Sequence, residues 1–91
     1  MTARPSYVVE IDAKATRDIR ALARNDQIRI LAKVMALSAD PRPPGSVKLA
    51  GQSALWRIRL GDYRIIYQIQ DLRLVVTVVK VGHRRDVYRG L

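Results

Sequence analysis

Leu55-Trp56-Arg57-Ile58-Arg59-Leu60-Gly61-Asp62-Tyr63-Arg64-Ile65-Ile66-Tyr67 alternates, turns at Gly61-Asp62, and alternates again. This is the pattern of a β-hairpin. Successive strand side chains point to opposite faces, so Arg57 and Arg59 share one face, roughly 6.6 Å apart at about 3.3 Å per residue, while Trp56, Ile58 and Leu60 take the other. If Leu60 and Tyr63 flank a two-residue turn, Ile58 faces Ile65 and Arg59 faces Arg64. Three guanidinium groups then lie on one side of the sheet, where like charges repel unless an anion bridges them. Asp62 is one acid against three bases, which favours an anion site over a solvated face that neutralises itself. Trp56, Tyr63 and Tyr67 are read as core, the two tyrosines on the face of Ile65 and Ile69.

Working outward, Tyr7, Val9 and Ile11 alternate with Val8 and Glu10 as a first strand. Asp12 can cap a following helix by accepting from its free first-turn amides. From Ala13 to Arg24, Ala15, Ile19, Leu22 and Ala23 recur at helical spacing, with charged residues on the other side. Asn25-Asp26 offers a second cap, and Ile28, Leu31 and Met35 with Ile30, Val34 and Leu37 extend a broad apolar stripe to about Ser38. So short a joint predicts an antiparallel helical hairpin. Asp40-Pro41-Arg42-Pro43-Pro44-Gly45-Ser46 ends the second helix, because proline lacks the amide hydrogen and clashes with the preceding turn. After a turn at Asp71-Leu72-Arg73, the run Leu74 to Val81 is β-branched and apolar on both faces as far as Val79, as expected of a strand inside a sheet. The expected fold is α+β, in the order β-α-α-β-β-β, with the helical hairpin on one face of a small, mostly antiparallel twisted sheet.

The chain has 91 residues, a length suited to one domain across 1–91. It has no cysteine and a single histidine, which sets aside disulfides, thiolate sites and His-rich metal clusters, and no metal or other cofactor is expected. No apolar run reaches the ~18 residues of a membrane span, and Met1 to Arg20 lacks the pattern of a signal peptide. A cytoplasmic protein with no membrane partner is expected. Seventeen basic against eight acidic residues give a formal charge of +9, which favours polyanionic partners. Thirteen of the seventeen are arginine, whose planar fork suits phosphate and stacks on bases.

The tail His83-Arg84-Arg85-Asp86-Val87-Tyr88-Arg89 follows the apolar strand and lies near the hairpin arginines if strand and hairpin are neighbours. Histidine is the side chain that ordinarily titrates near neutrality, so His83 is a candidate acid or base. Tyr88 is either a second proton-transfer group or an aromatic that pins the tail. No phosphate-binding glycine loop, nucleophile constellation or regularly spaced carboxylate pair occurs. What remains is cation-driven phosphate chemistry.

The block Trp56 to Tyr67, with Gly61-Asp62-Tyr63-Arg64-Ile65-Ile66-Tyr67 at its centre, and the tail Val81-Gly82-His83-Arg84-Arg85-Asp86-Val87-Tyr88 resemble the RelE/ParE superfamily of bacterial and archaeal toxins. The element order agrees, and the likeness covers nearly the whole chain. Within the superfamily the chain is similar to the RelE branch, endoribonucleases that cut messenger RNA in the ribosomal A site. The resemblance implies a type II toxin–antitoxin system in which a RelB-like antitoxin wraps the toxin in a hetero-oligomer. It places the family's basic pair on Arg57 and Arg59, its next arginine on Arg64, its post-strand arginine on Arg84 and its terminal tyrosine on Tyr88. His83 is a rival acid, and Lys48, Arg85 and Arg89 are the expected further RNA contacts.

One departure carries weight. The best-known RelE members have lysines where Arg57 and Arg59 stand, and arginine is effectively always protonated. This pair is therefore expected to bind phosphate and stabilise charge, with Tyr88 as base and Arg84 as stabiliser or proton donor. A ParE-like poison of DNA gyrase and a basic module that binds RNA without cutting it are the alternatives.

Overall fold

The computed structural model describes residues 6–51 and 54–88. The strands are β1 (Val8–Ile11), β2 (Val47–Lys48), β3 (Leu55–Leu60), β4 (Tyr63–Gln70) and β5 (Val75–His83), and the helices are α1 (Ala13–Arg20) and α2 (Arg24–Ala36). They form one five-stranded sheet in the order β1-β5-β4-β3-β2. β1 runs parallel to β5, and all other pairs are antiparallel. The expected α+β architecture and the β3-β4-β5 meander are both present. β2, an edge strand of two residues, is an addition to the expected order.

Both helices cover one face of the sheet. Ala15 and Ile19 of α1, Ile30 and Val34 of α2, and Leu37 are buried against Ile58, Ile65, Tyr67, Ile69, Val76, Val78 and Val81. Each fully buried isoleucine contributes roughly 1.5–3 kcal/mol by leaving water. The buried Tyr67 hydroxyl donates to the Pro41 carbonyl at 2.8 Å, tying the proline connector to β4, and burial pushes that phenol up to about 12.

The helix ends show which caps the tertiary structure allows. Asp12 caps α1 as expected, its Oδ1 accepting from the Ala15 amide at 2.8 Å. The second cap differs from expectation. α1 stops at Arg20, Leu22 lies in the joint, and Ala23 is the N-cap of α2 with no side-chain hydrogen bond. Asp26 instead sits in the first turn of α2, where it accepts from the Tyr63 hydroxyl at 3.2 Å and pairs with Arg29 at 3.6 Å. Its carboxylate is engaged with the sheet. The apolar stripe of α2 is also wider than the sheet covers, since Ile28, Leu31 and Met35 remain exposed.

The opening hairpin closes as its parity predicts. Leu60 opposes Tyr63, Ile58 opposes Ile65, and Arg59 opposes Arg64. Gly61 takes a φ of 58°, the left-handed region where a residue without Cβ is unstrained, as a two-residue hairpin with glycine first requires. β5 does not alternate evenly. Tyr67 opposes Val78, yet Ile66 opposes Lys80, so Val79 is the extra residue of a β-bulge. Beyond it Val81 faces the core and Lys80 faces away, which reverses the strand's parity within three residues.

Candidate nucleic-acid interface

The sheet face away from the helices carries the arginines in two cross-strand rows. In one, Arg59 on β3 opposes Arg64 on β4, which opposes Gly82 on β5. In the other, Arg57 opposes Ile66, which opposes Lys80. Along β3 the rows are two residues apart, about 6.6 Å at the usual strand rise.

The chain after β5 folds back over this face. Two amides, of Asp86 and Val87, donate to the His83 carbonyl at 2.9 and 3.0 Å and close a tight turn. Val87 is then fully buried against Gly82, where an added Cβ would meet Val87 atoms at 3.5 Å. Tyr88 reaches across the sheet, and its hydroxyl accepts from Arg57 Nη1 at 3.3 Å. Arg84 is held at the hairpin turn, its amide donating to the Asp62 carbonyl at 2.7 Å and its Nε lying 3.9 Å from Asp62 Oδ1.

Arg57 and Arg64 both donate to neutral oxygens. Arg64 Nη1 donates to the Gly61 and Tyr63 carbonyls, both at 3.0 Å, which curls it over the turn. Arg57 Nε is buried and has no hydrogen-bond partner. An unsatisfied buried donor costs about 1–3 kcal/mol, more when charged. Asp62 forms an ion pair with Arg84 at the edge of the arginine cluster. The face can thus accept an anion across Arg57, Arg59 and Arg64 with Tyr88 beside it.

The structure brings together Arg57, Arg59, Arg64, Arg84 and Tyr88. It does not bring His83 to them. His83 opposes Tyr63, whose face is the helix side, and the two rings meet edge-on at 6.4 Å with Nδ1 accepting from the Arg85 amide at 3.4 Å. Lys48 likewise opposes Trp56, so it stands on the helix side at the sheet edge. Arg85 is exposed beside the turn, and Arg89 lies outside the described residues. Conversely, the bulge adds Lys80 to the face, which even alternation from Val76 and Val78 would send into the core. The signal was in the sequence: a lysine in phase with the core valines has to be moved out of phase.

A family model described as the ParE toxin of type II toxin–antitoxin systems, parDE, matches residues 9–88. The chain belongs to the RelE/ParE toxin superfamily. Toxin RelG of Mycobacterium tuberculosis is 33% identical over 88 residues, which span 91% of this chain and 97% of that protein. The mRNA interferase toxin RelE of Escherichia coli is 30% identical over 87 residues, 91% of this chain and 90% of that one. Among solved structures, the RelBE2 toxin–antitoxin complex of Mycobacterium tuberculosis superposes with a TM-score of 0.81 at 25% identity, covering 94% of this chain and all of that chain. The archaeal RelE–RelB complex from Pyrococcus horikoshii gives a TM-score of 0.78 at 29% identity, covering 90% and 99%. The arginine face is therefore a feature of a RelE/ParE-fold toxin. Among the described residues no helix is long and apolar enough to cross a membrane, and no group of three or more acidic or histidine side chains could hold a metal ion.

Proposed function

We propose that this chain, as a single unit over 1–91, is a RelE-like endoribonuclease that cleaves messenger RNA in the ribosomal A site. The observation that carries the reading is the convergence of Arg57, Arg59, Arg64 and Tyr88 on one sheet face with the buried Arg57 Nε unpartnered. Naming of a 30% identical relative as an mRNA interferase supports it. In this reading the ribose 2′-hydroxyl attacks the adjacent phosphodiester, giving a cyclic phosphate and a freed 5′-hydroxyl. Tyr88 acts as base. Arg57, Arg59 and Arg64 stabilise the charge that grows on the pentacoordinate phosphorus, and Arg84 closes the site at the turn. The guanidiniums supply the cationic charge of this mechanism without a metal.

A RelB-like antitoxin is the proposed partner, since the neighbouring structures are toxin–antitoxin complexes. The exposed Ile28, Leu31 and Met35 of α2 suit an amphipathic helix, and so does a groove of about 190 Å³ lined by Ile11, Thr16, Ile19, Arg20, Gln27 and Leu31. The basic residues Lys14, Arg17 and Arg20 of α1 favour acidic flanks on such a helix.

A translating extract tests the nuclease reading. Wild-type protein should cut messenger RNA in phase with codons, and Arg64→Ala should cut at least ~10²-fold more slowly with its unfolding transition unchanged. Wild-type rates in R64A would remove Arg64 from the chemistry. Lost supercoiling in place of cuts would assign gyrase poisoning, and RNA binding without products a passive module.

A further inference from the structure

The sheet face that carries the arginines changes character along its strands. At the hairpin end Arg59 opposes Arg64, and in the next row Arg57 opposes Ile66. One step further from the turn the row is Leu55 on β3, Gln68 on β4, Thr77 on β5 and Glu10 on β1, and beyond it come Gln70, Val75 and Val8. Neither of these two rows contains a basic side chain. Both lie on the side away from the helices, because the residues that alternate with them, among them Trp56, Tyr67, Ile69, Val76 and Val78, pack into the core.

Gln68 is the polar residue of the neutral row that stands nearest the anion site. It opposes Leu55 and is therefore diagonal to Arg57, whose direct opposite is Ile66. Diagonal partners on adjacent antiparallel strands are about 7–8 Å apart, a gap that long side chains span. Leu55, Gln68 and Thr77 are each part-buried and still present surface. Among the described residues, the side chains of Gln68 and Thr77 make no hydrogen bond, whereas Gln70 Oε1 already accepts from Arg73 at 3.2 Å.

Single-stranded RNA has the same two-part character, with charged phosphates and flat neutral bases edged by donors and acceptors. On the Leu55 side of a phosphate held by the arginines, a nucleoside meets the neutral row, which ends in the Glu10 carboxylate and so repels further phosphate. A primary amide offers an acceptor oxygen and an NH2 donor side by side. That pair matches adenine, whose N6 amino group donates and whose N7 accepts. Thr77, directly opposite Gln68, adds a hydroxyl, and Leu55, opposite it on the other strand, adds apolar contact.

Resting on the nuclease reading, we propose that Gln68, with Thr77 and Leu55 beside it, is a nucleobase subsite that selects adenine next to the phosphate held by Arg57. Gln68 Nε2 donates to N7 of the base, and Oε1 accepts from the N6 amino group. Guanine has an oxygen in place of that amino group, so only one of the two bonds forms. Pyrimidines have no N7. The arginines thus hold the backbone, and the amide reads the base.

The test uses programmed ribosomes whose messages place each of the four bases in turn at the two nucleotides flanking the cut, with single-turnover rates measured for every message. Wild-type protein should cut fastest with adenine at one of the two positions, by about tenfold over guanine. Gln68→Met should bring the four rates at that position within about twofold of one another. Thr77→Val should reduce the adenine advantage by a smaller factor, which supplies a second reading if the unfolding midpoint shows Q68M to be misfolded. An adenine advantage that survives in both variants would belong to another residue or to the ribosome and would overturn the subsite. Equal rates for all four bases in the wild type would overturn it too, and a uniform fall in Q68M with the adenine advantage kept would make Gln68 structural. A wild-type protein that cuts none of the messages would overturn the nuclease reading and this assignment with it.

Discussion

Two arginines meet β3 at adjacent residues from opposite sides. Arg42, from the proline connector, lies over the Trp56 ring at 5.1 Å on the helix side, while Arg57 extends from the next residue on the other face. Arg42 is matched: its guanidinium grips both oxygens of Asp71 at 3.0 and 2.8 Å, and the Tyr7 hydroxyl donates to the same carboxylate at 2.7 Å. Arg57 has a 3.3 Å bond to Tyr88 and a buried Nε with nothing to bind. Arg42 is given a carboxylate, whereas the bond of Arg57 is to a neutral hydroxyl. In the nuclease reading proposed above, the contrast separates a charge that stabilises the chain from one that binds RNA.

That contrast can be tested from both ends. Removing the Tyr88 hydroxyl should have the largest effect: Tyr88→Phe should slow messenger RNA cleavage about 10²–10⁴-fold while RNA affinity and the unfolding midpoint stay at wild-type values. Unchanged cleavage would move the base elsewhere. Arg42→Ala should do the reverse. Its pair with Asp71 is half-exposed, so losing the ion pair and the contact with Trp56 should lower the denaturant midpoint only modestly and leave cleavage intact. A loss of cleavage in that variant would blur the two classes.

The smallest expected effect is a pH dependence. Hydrogen bonds from Arg42, then from Tyr7, hold the Asp71 carboxyl down to about 2 from its ordinary 3.8. A carboxyl depressed on folding adds stability that is present above its unfolded value and is lost as pH falls through the folded one. Between about pH 4 and 2 the wild-type denaturant midpoint should therefore fall more steeply than that of Asp71→Asn. Parallel curves would show that this network contributes nothing to folding.

The sequence made the arginine cluster legible because a two-residue turn leaves only one register. Gly61-Asp62 sets Arg59 against Arg64, and alternation carries Arg57 to the same side. Asp12 was legible for a similar reason, since a cap acts on amides a few residues away. What alternation and local spacing do not reach is decided by distant partners. Asp26 has the look of a cap, but the Tyr63 hydroxyl, thirty-seven residues away, takes its carboxylate. His83 has the chemistry of an acid, yet its strand position turns it toward Tyr63. Lys80 was hidden by a single extra residue, because alternation counted through Val79 gives the wrong face.

β1 ends at Ile11, opposite Val78, while β5 runs on to His83. Past that point β5 has lost its outer neighbour, and a bare strand edge invites a strand from another molecule. Here α1 takes over the neighbour's place, for the Val81 amide donates to Asp18 Oδ2 at 3.0 Å. A helix carboxylate thus seals the edge beside Lys80, so an incoming strand that tried to extend the sheet there would find the Val81 amide already taken.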